Sequence, residues 1–87
     1  MCTYQTEQIS VEGSGKGTTG WFALSEATVY FDHPVHAMAE HTLNIDFRNP
    51  AGGPSARVAV ELSAESAREL ARAILLTLDS APPGMVA

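Results

Sequence analysis

Three histidines fall within nine residues, in the run Asp32-His33-Pro34-Val35-His36-Ala37-Met38-Ala39-Glu40-His41. Imidazole is the commonest metal ligand of proteins, and its neutral form suits zinc, copper, iron or nickel. Three protein ligands with a fourth position open is the arrangement of a catalytic metal. The spacing, His-x2-His-x4-His, is not the His-Glu-x-x-His of a metalloprotease helix, nor does it contain the His-x-His pair of cupins. Its case rests on geometry. His33 continues the alternating series Ala27, Val29, Phe31, and His41 begins the series Leu43, Ile45, Phe47. If the two series are neighbouring antiparallel strands, both imidazoles share a face at one sheet end. Opposed Cβ atoms there stand roughly 4.5–5.5 Å apart, within reach of a common ion. His36 belongs to the connection and can close over them.

The reading is a site for one first-row transition metal per chain, held by His33, His36 and His41, with zinc or copper ahead of iron. Cys2 is a further candidate ligand. Removal of Met1 would leave a thiol and an amine on that one residue, able to chelate or to attack. Asp32 and Glu40 are candidate catalytic groups, as a base for metal-bound water or as hydrogen-bond partners that orient imidazoles. Binding is expected to weaken below about pH 6, because protonated imidazole cannot ligate. Pro34 restricts the chain between His33 and His36 and lowers the entropy cost of organising it.

A second motif carries less. Gly13-Ser14-Gly15-Lys16-Gly17-Thr18 has the look of a phosphate loop. Such a loop needs a glycine five residues before Gly15, where this chain has Ser10, and a helix after it. Thr18-Thr19-Gly20-Trp21-Phe22 is poor helix. The segment therefore reads as a flexible turn between strands that binds no nucleotide.

Positioning such residues falls to a chain of 87 residues, enough for one domain with a thin core. Period-2 alternation marks strands over Ala27 to Asp32, Leu43 to Arg48 and Arg57 to Leu62, each with an apolar and a wet face. Thr3 to Glu12 and Trp21 to Leu24 read as further strands, and Asn49 to Pro54 as a breaker-rich loop. One helix follows. Ser63 is its N-cap, and Ala67, Leu70, Ala71, Ile74 and Leu78 form one stripe opposite Glu65, Arg68, Glu69 and Arg72. The expected fold is α+β: an antiparallel sheet of four to five strands, covered on one face by a single C-terminal amphipathic helix. Residues 1–80 form the single domain, and residues 81–87, which contain Pro82-Pro83-Gly84, form a flexible tail.

Composition narrows the partners. Five Lys and Arg stand against ten Asp and Glu, for a net charge of −5, and the basic residues are scattered. Nucleic acid and anionic membrane are not expected partners. One cysteine forms no internal disulfide framework, and the first residues carry no secretory pattern, so the expected compartment is the cytoplasm. Leu76 lies about 180° from the helix stripe, among charged residues, and points to a homodimer.

The stretches Met1-Cys2-Thr3-Tyr4-Gln5-Thr6, Val29-Tyr30-Phe31-Asp32-His33-Pro34-Val35-His36 and Glu40-His41-Thr42-Leu43-Asn44-Ile45-Asp46-Phe47 resemble short actinobacterial proteins of the DUF6295 type. The resemblance spans nearly the whole chain. It implies a bacterial cytoplasmic protein that is the entire gene product, and it supplies no activity, cofactor or catalytic residue. The C-terminal helix segment Leu62 to Leu70 is similar to helices of many unrelated small proteins. Function is therefore expected from the residues alone: a small metal-binding protein, or a metalloenzyme with Glu40 or Asp32 as base. The alternatives are a non-enzymatic dimeric binding or assembly module, and a metal-free enzyme acting on a small molecule through a histidine acid or base.

Overall fold

In the computed structural model, which describes residues 5–33 and 40–86, four strands precede one helix: β1 (Thr6–Gly17), β2 (Gly20–Asp32), β3 (Thr42–Arg48), β4 (Arg57–Leu62) and α1 (Ala64–Ser80). The strands pair antiparallel in sequence order β1-β2-β3-β4, an open meander. The class is α+β, as the alternation and the helical stripe predict. Phe31 pairs with Leu43, Val29 with Ile45 and Ala27 with Phe47, and these meet Leu62, Val60 and Val58 of β4. One apolar face thus runs across three strands in the register that alternation implies.

The glycine-rich segment departs from expectation. Gly13 to Gly17 is not a loop but the second half of β1, with Gly13 opposite Leu24, Gly15 opposite Phe22 and Gly17 opposite Gly20. The turn shrinks to Thr18 and Thr19. A bulge between Ser10 and Gly13 adds a residue to β1 and increases the local twist. The strand then passes close enough to its neighbours that a side chain at Gly15 or Gly17 would crowd them. A Cβ on Gly17 would lie 3.1 Å from a ring carbon of Phe22, and one on Gly15 would lie 3.3 Å from Leu24 and 3.4 Å from Val58. The glycines let the outer strands β1 and β4 approach each other. Lys16 lies within a strand and is followed by a strand, so no helix N-terminus is presented to a phosphate.

The link between β3 and β4 is pinned by Asn49. Its side-chain amide donates to the carbonyl of Ala23 at 3.0 Å, and its side-chain oxygen accepts the Ala51 amide at 3.1 Å. Ser63 caps α1 as its sequence position implies, accepting the Ser66 amide at 3.1 Å. Ser63→Ala is expected to cost about 1 kcal/mol, because a helix-end amide loses its acceptor; urea denaturation monitored by circular dichroism measures it. After Ser80 the chain reaches Pro82 and forms a short 3-10 turn over Pro83–Met85.

Burial shows that the helix covers the sheet loosely. The apolar face is only partly covered: Val29, Leu43, Ile45 and Phe47 are half-buried, and the helix stripe is exposed, Leu70 by 43%, Ile74 by 52% and Leu78 by 50%. The first turns of α1 border β3 and β4, but a cleft of about 430 Å³ stays open between Leu70 and Ile74 of the helix and Val29, Leu43, Ile45 and Leu62 of the sheet. Conversely, Thr42 and Asn44, on the face read as wet, are 1% and 4% exposed. Both lie on a strand flanked on either side, and the Thr42 hydroxyl donates to the Asn44 side-chain oxygen at 2.7 Å, which offsets the loss of water. Among the described residues, Ala27 and Ala56 are the buried apolar side chains.

Candidate functional site

The histidine pair forms where strand pairing stops. The last pair of β2 and β3 is Asp32 with Thr42. The next position in that register brings His33 opposite His41. Their ring centroids are 4.5 Å apart, with the planes tilted by 30°. Phe31 lies on the other side of His41, with centroids 5.7 Å apart and planes within 13°. Three rings therefore gather along one face at the sheet end, Phe31 stacked on His41 and His33 tilted against it. The parity of two hydrophobic series, read across a register set by Phe31, Leu43 and Ile45, is what brings the imidazoles together.

Hydrogen bonds hold His33 in place. Its backbone amide donates to Oδ1 of Asp32 at 2.7 Å. Its Nδ1 is 3.0 Å from the carbonyl oxygen of Glu40. A carbonyl can only accept, so Nδ1 carries a proton, and in the neutral ring Nε2 holds the lone pair. His41 is anchored by its neighbour: Thr42, fully buried and bonded to Asn44, fixes the start of β3. The Nε2 atom of His41 is itself buried.

Both candidate carboxylate residues bond to His33. The Asp32 oxygen is on a backbone amide, and Glu40 serves the His33 ring through its main-chain carbonyl. His36 and Cys2, the other candidate ligands, lie outside the described residues. Among the described residues, no three His, Cys, Asp or Glu side chains gather as a metal-ligand group. The cleft beside α1 opens next to the pair, since its wall residue Leu43 follows His41 by two positions on the same strand face.

On the opposite face lies a polar network that alternation alone did not reveal. The Tyr30 hydroxyl donates to Oδ2 of Asp46 at 3.4 Å, and Arg57 contacts Oδ1 of the same carboxylate at 2.8 Å. Arg48 and Glu26 pair at 3.5 Å beside it. A signal for this face exists in the sequence: Asn44, at the middle of a strand and of poor strand propensity, marks a position with a specific hydrogen-bonding task. Burial pushes the Tyr30 pKa above its ordinary value, and the Asp46 charge and hydrogen bond push the same way, against the pull of Arg57. A folded-state pKa above the unfolded one means stability is fully present below the unfolded value of about 10 and falls as pH rises through the folded value. Above that range Tyr30→Phe is expected to lose less stability than the parent chain, as thermal unfolding at graded alkaline pH measures.

No described helix is long and apolar enough to cross a membrane. Comparison with curated proteins and with solved structures finds no match. A family profile does match, over residues 1–87, and on that full-length match the chain belongs to the family of unknown function DUF6295.

Proposed function

We propose that this chain is a small metal-binding protein whose site is built on His33 and His41. The observation that carries the reading is the pair of rings with centroids 4.5 Å apart, with Nδ1 of His33 committed to a backbone carbonyl. A metal-ligating histidine characteristically donates its other ring N–H to a carbonyl or carboxylate, which fixes the tautomer and aims the remaining nitrogen. His33 has that arrangement. The buried Nε2 of His41 is the second candidate ligand atom. The two rings are tilted by 30° with centroids 4.5 Å apart, and in this reading one ring turns about its Cβ–Cγ bond so that both nitrogens meet one ion. His36, midway along the connection from His33 to His41, supplies a third ligand in this reading, with Cys2 as a further one. Zinc and copper suit the set better than iron. The single cysteine, which leaves no internal disulfide to form, favours a reducing compartment.

In the enzymatic form of the reading, the ion polarises a small-molecule substrate or activates water, with Asp32 or Glu40 as base. The second reading, a non-enzymatic binding or assembly module, draws its support from the open apolar cleft. Elemental analysis of protein purified without immobilised nickel or chelator separates the two. One zinc or copper per chain supports the metal site; protein that carries none and takes up none from micromolar zinc, copper or iron overturns it.

A further inference from the structure

We infer that two copies of this chain pair through the cleft between α1 and the sheet, the exposed stripe of each helix lying against the apolar sheet face of the other. The area of the chain asks for it. A compact monomer of 9.2 kDa exposes about 4,900 Å². This chain exposes 6680 Å². The radius of gyration is 14.5 Å, against about 12 Å for a compact chain of this length. The excess, about 1,800 Å² per chain, falls within what one subunit of an obligate homodimer buries, half of a total of roughly 2,000–5,000 Å².

The excess is apolar where it matters. Leu70, Ile74 and Leu78 lie on one helical stripe and are exposed by 43, 52 and 50%. Val29, Leu43, Ile45 and Leu62 line the far wall of an open cleft. The stripe and the sheet face are the two walls of one open cleft, and a twofold axis lets each helix enter the other's cleft so that its stripe meets the partner's sheet face. A second copy therefore completes both at once, without a partner of different chemistry. Folding alone leaves Ala27 and Ala56 as the buried apolar residues described, too little for a stable small domain, and pairing supplies the missing core. Leu76, which the helical wheel marks as the odd apolar residue, lies on the side of α1 away from this surface, so the pairing face shifts from Leu76 to the stripe itself.

Sedimentation equilibrium over a micromolar concentration series, with chelator present throughout, is the test. The chelator keeps the result independent of the metal site: a chain that binds no metal but pairs upholds this inference alone. The expected mass is twice 9.2 kDa. Ile74→Glu is expected to shift the chain to the single mass, and Leu76→Glu to leave it paired. If Ile74→Glu does not fold, Ile74→Ala replaces it, with the dissociation constant expected to rise at least about tenfold while Leu76→Ala leaves it unchanged. A folded parent chain at the single mass across the series overturns the inference, as does pairing that resists the Ile74 variants or yields equally to those at Leu76.

Discussion

Substituting alanine for both His33 and His41 will abolish retention of zinc or copper, and either single change will weaken it by more than about 100-fold. Loss of an outer partner of a ligand already costs about 10–100-fold in affinity, and loss of the ligand costs more. The two rings stand 4.5 Å apart at the end of β2 and β3, so removing one leaves the other without its companion nitrogen. His36→Ala is expected to weaken binding less, since strand register brings His33 and His41 together without it. Binding will fall on acidification, because each imidazole must shed its proton to ligate. Native mass spectrometry with each metal offered in turn reads the stoichiometry, and far-ultraviolet circular dichroism shows that each variant is folded. A folded double variant that binds as the parent does would return the histidines to a purely structural role, as a stacked cap on the end of β2 and β3.

Thr42→Val is expected to be among the most destabilising conservative changes in the chain. Thr42 is 1% exposed and gives its hydroxyl proton to Asn44, itself 4% exposed, over 2.7 Å. Valine keeps the shape and strands the buried amide oxygen, at a cost of about 1–3 kcal/mol. In a domain of this size each kcal/mol lowers the melting temperature by roughly 4–8 °C. The double variant Thr42→Val/Asn44→Leu removes both polar partners and should recover part of the loss, because no buried group is then left without its bond. Scanning calorimetry of the four members of this cycle gives the coupling. A single Thr42→Val with an unchanged melting temperature would mean that the hydroxyl contributes nothing to the fold. The same cycle bears on the site, since Thr42 fixes the start of the strand that carries His41.

What the sequence determined by itself was whatever local periodicity encodes. Alternation set three strands and their shared apolar face, and a stripe with Ser63 ahead of it set the helix and its cap. Parity also carried the meeting of His33 and His41, because a strand has only two faces and one register puts both series on the same one. Three things only the tertiary structure decided. Gly13 to Gly17 became strand because strand pairing and close neighbours such as Phe22 and Leu24 favoured bare backbone there, and local turn preference yields to that. Thr42 and Asn44 became buried because they meet each other on a flanked strand, a fact of distance rather than of residue type. The helix stripe stayed exposed because an amphipathic pattern says that a face must be covered and not by what. One chain of this length leaves the cleft between sheet and helix unfilled, so Leu70, Ile74 and Leu78 keep apolar surface exposed.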